Sequence, residues 1–238
     1  MEKFENENYI SESILEIRFK PNPMLLDYRG TWAEILGEIF DLPHFKIDNN
    51  RVDIYGDESF LRVFVSYRNF GIVVKNCRDR NDFIAHANKI IKFLLKQKAF
   101  GSKVVIQRFG NRSRVATRYI GDFSELLSGF TTKFVNLRPE ITEILNGEVI
   151  DFGSPINLKT MDGFININSG PMANPQLMEF FPKYENLPDL AYYLDVDYWR
   201  EPNKEMEFQE LLEWTRKSTT RIWDIHEQII EHLEKEQK

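Results

Sequence analysis

The sequence contains a single cysteine, Cys77, among its 238 residues. One thiol cannot form an internal disulfide, and a metal centre built from several thiolates is likewise excluded. Uninterrupted apolar runs are short everywhere, well below the roughly 20 residues that a transmembrane helix requires. The N-terminal residues are polar and acidic, the reverse of a secretory signal. These absences predict a cytoplasmic protein that does not enter a membrane.

Positive charge is also in short supply. The chain has 31 Lys and Arg residues against 37 Asp and Glu residues, a formal net charge of −6. A general electrostatic footprint for nucleic acid needs the opposite excess, so only a local basic patch could supply one. Apolar residues are plentiful at 42%, and 19 of them are phenylalanine. This composition is typical of a globular protein with an aromatic core.

The first hundred residues have a recognisable order of elements. Alternating apolar and charged residues predict a strand at 13–20, and helical spacing of apolar residues follows over 25–39. Short β-branched segments at 45–77 predict further strands. A second helix then begins near Asp79 or Asn81, either of which can cap it.

A similar series begins at Lys103. Two extended stretches are predicted at 103–109 and 113–120, separated by a turn-like glycine. The segment 170–188 holds four prolines and is expected to be irregular. The remaining predicted elements are a helix at 122–130, a short helix from Pro139 to Leu145, strands at 147–158, 164–169 and 191–198, and a last helix from about Lys204.

Strand, helix, strands and helix therefore occur twice. This pattern predicts an α+β fold with a duplicated unit, in which one or two antiparallel sheets are covered by long helices. The first half would span residues 1–101 and the second half residues 102–238. Because the sequence between them has no extended linker, we expect the halves to be closely associated and their sheets to join.

Arg112, Arg114 and Arg118 form the densest basic cluster, with Arg108 close by. Residues two and four apart in a strand point to the same side, so the three guanidinium groups are expected on one face. Such a face suits a phosphate, a carboxylate ligand or an acidic partner. It is equally consistent with exposed charges that pair with neighbouring acidic residues.

Asp195 and Asp197 share a strand face for the same reason. Two carboxylates at this spacing can bind a hard cation or divide acid and base roles. The other interpretation is a salt bridge to Arg114 or Arg118 on a neighbouring strand. We expect Arg118 to lie within one side-chain length of these two aspartates, because unpaired charges in apolar strands are costly.

The histidines are dispersed along the sequence and do not have the spacing of a metal-binding pair. His226 borders the apolar stripe of the last helix, a common place for an imidazole. The sequence predicts no catalytic residues, no metal ligands and no cofactor. The four histidines are His44, His86, His226 and His232.

Three short, separated segments of the sequence together form a recognisable pattern. Residues 14–19 read Ile-Leu-Glu-Ile-Arg-Phe, residues 114–120 read Arg-Val-Ala-Thr-Arg-Tyr-Ile, and an aspartate-rich strand at 194–197 precedes a helix with the pair Ile225-His226. The combination resembles a sporadically distributed, uncharacterised bacterial protein family with a central Arg-x-x-x-Arg-Tyr strand. Ala116 stands where that family usually has glycine, and Gly121 where it commonly has asparagine.

The resemblance implies a cytoplasmic protein from a defence or mobile-element context, and it names no catalytic residues. A polar network that ties two half-sheets together would use the same residue types. The positions that match the recurring residues of the family are Glu16, Arg18, Arg114, Arg118, Tyr119, Asp195 and His226.

Three functions remain open at this level. The first is a non-enzymatic protein that binds a protein partner or a second copy, as an accessory or sensor in an antiviral defence operon, with Tyr193, Tyr198 and Trp199 as interface anchors. The second is a small-anion or nucleotide-binding domain, with or without hydrolysis, in which the arginine strand and the Asp195/Asp197 strand line one cleft. The third is nucleic-acid binding through the arginine strand.

Overall fold

Ten strands and seven helical segments make up the part of the chain that the computed structural model describes, residues 4–57, 60–77, 79–97, 104–135, 144 and 149–235. The strands are β1 (Phe4–Phe19), β2 (His44–Ile47), β3 (Arg51–Tyr55), β4 (Leu61–Ser66), β5 (Asn69–Lys75), β6 (Val104–Tyr119), β7 (Ser154–Lys159), β8 (Phe164–Ala173), β9 (Leu190–Arg200) and β10 (Lys204–Met206). The helices are α1 (Met24–Asp27), α2 (Arg29–Phe40), α3 (Arg80–Leu95), α4 (Phe123–Phe130), a π-helical turn (Thr131–Val135), α5 (Asn174–Phe180) and α6 (Phe208–Glu234). The predicted helix at 139–145 lies, except for Ile144, outside the described residues.

The strands form one sheet in the order β2-β3-β4-β5-β1-β6-β9-β8-β7, and β10 pairs with β6. Every pairing is antiparallel, so the predicted α+β class with an antiparallel sheet is confirmed. The long strands β1 and β6 lie side by side at the centre, with Ser13 opposite Ser113. This pairing joins the strands of the first hundred residues to those of the rest of the chain.

The two sides of the sheet differ because side chains alternate along each strand. On β1, Leu15 and Ile17 are fully buried, whereas Glu16 and Arg18 point to the other side. The buried side contacts α3 and α6, and Asn111 donates hydrogen bonds of 3.2 and 2.6 Å to hydroxyl groups of α6. We call this side the helix face and the opposite side the open face.

The open face has a smaller apolar contact of its own at one end. Helix α5 and the segment after it place Leu177 and Phe181 against Ala116, Ala191 and Tyr193. This second cluster covers that end of β6 and β9, and the middle of both strands retains charged side chains.

Strand β6 and the segment 170–188 differ from the prediction. β6 is one continuous strand rather than two, because residue 110 pairs with β1 on one side and with β9 on the other. A Cβ on Gly110 would come within 3.3 Å of the Cβ of Trp199, so the glycine permits a close approach between strands and makes no turn. The segment 170–188 is irregular only in part, since it contains the end of β8 and helix α5, in which Pro175 lies in the first turn.

The ends of two helices test the predicted boundaries. Of the two predicted caps, Asp79 is the one that caps α3, since its carboxylate accepts hydrogen bonds from the backbone N–H groups of Asn81 and Asp82 at 2.7 and 3.0 Å. The last helix begins at Phe208, later than predicted, because residues 204–206 pair with β6 as strand β10.

Candidate functional site

The most buried carboxylate on the open face belongs to Asp195, on β9 next to the central strand β6. Only 5% of its side chain is exposed, against 37% for its partner Arg112. The guanidinium binds in a fork, with Nε 2.8 Å from one carboxylate oxygen and Nη2 2.5 Å from the other. These hydrogen bonds and the charge of Asp195 raise the pKa of Arg112 above its ordinary value. The fork therefore holds Arg112 against the most buried carboxylate of this face.

The register of β6 against β9 explains this geometry. Arg112 lies opposite Asp197 and Arg114 lies opposite Asp195, so the fork from Arg112 reaches Asp195 along a diagonal. Arg114 contacts Asp195 at 3.9 Å on one side and Glu12 of β1 at 3.2 Å on the other. Acidic and basic groups therefore alternate across three neighbouring strands.

The same alternation continues toward the other end of these strands. Arg108 contacts Asp197 at 3.3 Å and lies 4.7 Å from the ring centroid of Trp199. Burial raises the pKa of Asp197 against the opposing attraction of Arg108 and Arg112. Trp199 in turn stacks on Phe164 of β8 at 4.6 Å, so a flat aromatic pair borders the charged groups.

Glu16 and Arg18 of β1 complete the arrangement, 2.9 Å apart. Burial alone would raise the pKa of Glu16, but hydrogen bonds from Arg18 and Asn69 hold it below its ordinary value. We call these eight charged groups the charge network, and five of them line a depression of about 220 Å³ at Gly110: Glu16, Arg18, Arg108, Arg112 and Asp197. Four are acidic and four are basic, so the network is compensated: Glu12, Glu16, Asp195, Asp197, Arg18, Arg108, Arg112 and Arg114.

The structure thus brings together four of the predicted site residues, Arg112, Arg114, Asp195 and Asp197, and separates Arg118 from them. Arg118 lies opposite residue 191, four residues or about 13 Å along β9 from Asp195. The predicted pairing of Arg118 with the two aspartates is therefore wrong, because the register places Arg112 and Arg114 there instead. Arg118 lines a separate depression of about 310 Å³ with residues 185–189.

Tyr119 and His226 lie on the helix face, so neither one joins the charge network. The Tyr119 ring packs edge-on against Phe4 with centroids 5.1 Å apart. His226 Nε2 lies 2.9 Å from the hydroxyl of Thr117, and burial lowers the pKa of this histidine to about 4. At neutral pH His226 is an uncharged group that joins α6 to the sheet.

The three predicted interface anchors also separate. Tyr193 is 2% exposed and Tyr198 is 4% exposed, so neither side chain can reach a partner. Only Trp199 remains accessible, on the open face beside the charge network. The prediction of anchor residues is wrong for the two tyrosines, because packing against α5 and α6 covers them.

Sequence reasoning missed Glu12 and the role of Trp199 beside Arg108. A signal for Glu12 was present, since the alternation of β1 places it on the same face as Glu16. Its partner Arg114 could not be identified without knowing that β1 and β6 are neighbours. For Trp199, the missing information was that Gly110 lies directly opposite and makes room for the ring.

The remaining chemistry of the described residues is limited. Burial raises the pKa of Cys77 to about 12, so its thiol stays protonated and is a poor nucleophile at neutral pH. In the described part of the chain, no group of three or more His, Cys, Asp or Glu side chains is placed to hold a metal ion. None of the described helices combines the length and apolar character needed to cross a bilayer.

No protein-family model matches the sequence, and a search of curated proteins finds no significant match.

Proposed function

We propose that this protein is a non-enzymatic binding protein, and that the open face around the charge network is the surface that binds a protein partner or a second copy of the chain. The observation that carries the proposal is the compensation of the network. Each arginine has a carboxylate within 3.3 Å, so its charge is already offset by a neighbouring acid. A protein surface with charges of both signs can add contacts to such an array without displacing its pairs.

The accessible groups around the network support this assignment. Trp199 and Phe164 present a stacked aromatic pair, and Arg18 is the most exposed member of the network at 47% of its side chain. Tryptophan and arginine are the residue types that most often dominate the energy of protein interfaces. The two alternatives, an anion or nucleotide site and a nucleic-acid site, both require an excess of positive charge that the network does not have.

The strand order supports an internal duplication. Counted outward from the centre, the first half runs β1, β5, β4, β3, β2 and the second half runs β6, β9, β8, β7, so the first half has one more strand at its edge. Each half thus pairs its first long strand with its last long strand, and each ends with a long helix that contacts the other. We infer two copies of one unit, 1–101 and 102–238, with the long helices covering one side of the shared sheet. A duplicated unit would place the charge network on the boundary between the copies.

The cellular role follows only from the resemblance to the bacterial family. On that basis we propose a cytoplasmic accessory or sensor protein of an antiviral defence system. A compensated, preformed surface suits that role, because it can recognise a partner without a chemical step. The genes adjacent to this one are the direct check on the proposed context.

Reversal of charge on the open face is expected to abolish partner binding. The double variant Arg18→Glu/Asn168→Arg reverses the charge of one member of the network and adds a positive charge at Asn168, which lies opposite Asp195 on β8. A matched control is Arg80→Glu, which breaks an ion pair of similar exposure, to Asp224, on the other side of the protein. Affinity capture from the native host, with size exclusion and light scattering for self-association, should show a loss of about tenfold or more for the double variant only. A monomer that captures no specific protein, or an equal loss in Arg80→Glu, would contradict the proposal.

A further inference from the structure

A large cleft lies on the helix face, away from the charge network. It has a volume of about 920 Å³ and is formed by α6, by the ends of β8 and β9, and by the chain after β9. This volume is within the range of small-molecule sites in proteins. Its floor is apolar and partly aromatic, with Ile165, Tyr198 and Trp214. Its rim carries charged side chains of both signs, five basic and four acidic: Arg200, Lys204, Arg216, Lys217, Arg221, Asp162, Glu210, Glu213 and Asp224.

Arg200 lines this cleft and has an unusual environment. Its guanidinium lies 4.4 Å from the ring centroid of Phe109 and 5.8 Å from that of Trp214. Its Nε is buried and has no hydrogen-bond partner within the described residues. Burial also lowers the pKa of Arg200, which means that the surroundings disfavour the charged form of its guanidinium group. A partly buried cation on an aromatic floor is costly unless an anion pairs with it.

The acidic residues near Arg200 are engaged elsewhere. Asp162 accepts a hydrogen bond from Lys217, which ties the turn before β8 to α6 at the rim. Glu210 lies 3.8 Å from Lys204. Among the described ion pairs none includes Arg200, whereas every arginine of the charge network has a carboxylate partner.

Trp214 is a second, independent sign of a missing ligand. It lines the cleft, its side chain is only 4% exposed, and its indole N–H has no hydrogen-bond partner within the described residues. Other buried donors of the described residues are also unpaired, among them Nε of Arg108 and the indole N–H of Trp223. Arg200 and Trp214 differ in lying together in one cleft, and buried polar groups in native proteins are usually paired. An anion placed between them could accept from both groups.

We infer that this cleft binds an organic anion in which a carboxylate, sulfonate or phosphate group is attached to a flat apolar body. The anionic group would pair with Arg200 and accept from the indole N–H of Trp214. The apolar body would lie against Ile165 and Tyr198. The cleft and the charge network lie on opposite faces of the sheet, so this inference does not depend on the proposed function.

A pair of fluorescent probes tests the inference. 8-Anilinonaphthalene-1-sulfonate has the required anion and flat body, and N-phenyl-1-naphthylamine is its neutral counterpart. We expect the wild-type protein to bind the sulfonate more tightly than the neutral probe, and Arg200→Gln to weaken only the sulfonate, by about tenfold or more. A matched control is Arg62→Gln, which changes an exposed arginine on β4 and should leave both affinities unchanged. Equal affinity of Arg200→Gln and wild type, or equal affinity for the two probes, would overturn the inference.

A second measurement needs no change at Arg200 and therefore does not depend on the folding of that variant. The indole N–H resonance of Trp214 can be assigned by comparison with Trp214→Phe and followed while the sulfonate probe is added to the wild-type protein. We expect this resonance to shift, while those of Trp32 and Trp199, which do not line the cleft, stay in place. An unchanged Trp214 resonance at saturating probe would show that the probe binds elsewhere and would overturn the inference.

Discussion

Replacement of Asp195 by alanine is expected to lower the free energy of unfolding by about 3 kcal/mol. The carboxylate is almost fully buried, and it is held by the fork of Arg112 and by the longer contact with Arg114. Without it, two neighbouring guanidinium groups would repel each other across a partly buried strand face. Urea unfolding of wild type and Asp195→Ala, monitored by circular dichroism, measures the loss directly.

The control is an exposed aspartate with one basic partner. Asp48 pairs with Lys46 at 3.2 Å, and both side chains are largely exposed, so Asp48→Ala should cost about 1 kcal/mol or less. The double variant Arg112→Met/Asp195→Leu should be less destabilised than Asp195→Ala, because it leaves no unpaired partner of that fork. A loss below about 1 kcal/mol for Asp195→Ala would mean that the pairs of the network are individually dispensable.

Stability is expected to fall steeply between pH 6.5 and pH 4 because of His226. The pKa of this histidine is about 4 in the folded protein, against 6.5 in the unfolded chain. In that interval the unfolded state binds a proton that the folded state excludes, so acid favours unfolding. The contribution of the neutral, buried His226 to the free energy of unfolding is fully present above pH 6.5. About 3 kcal/mol of this free energy is lost when the pH falls to 4.

The variant His226→Gln isolates this effect. Glutamine can still pair with the hydroxyl of Thr117 but does not titrate, so its stability should depend less on pH. The difference in unfolding free energy between wild type and variant, measured at half-unit steps from pH 7 to pH 4, should change by about 3 kcal/mol. The other histidines are common to both proteins and cancel in the subtraction. Parallel curves would show that His226 takes up its proton equally well in the folded state.

Much of the charge network could be predicted from local sequence. The alternation of apolar and charged residues in β1 assigns Leu15 and Glu16 to opposite faces, and the structure agrees. Spacings of two likewise place Arg112 with Arg114, and Asp195 with Asp197, because strand geometry has a period of two. Which arginine meets which aspartate is set by the register, and local spacing does not contain that information.

The continuity of β6 shows a further limit. A glycine followed by asparagine resembles a turn, yet residues 110 and 111 lie inside a strand that has a partner on each side. Tertiary pairing overrides the local preference here, since both neighbouring strands supply hydrogen bonds that a turn would lose.

The cleft at Arg200 could not be predicted from the sequence for a related reason. Its lining comes from three segments, 160–165, 198–204 and 210–224, which only the fold brings together.

Photo-crosslinking in the native host tests the central claim most directly, because it reports which face of the sheet meets a partner. The photoreactive phenylalanine analogue p-benzoylphenylalanine would replace Phe164, on the open face beside Trp199, or Phe45, on the helix-face side of edge strand β2. The two positions are matched in residue type, and the control is the more accessible one, with Phe45 60% exposed and Phe164 37% exposed. We expect a covalent adduct with a defined protein, or with a second copy of the chain, at position 164 and none at position 45. An adduct at position 45 alone, or none at either position, would contradict a partner-binding open face.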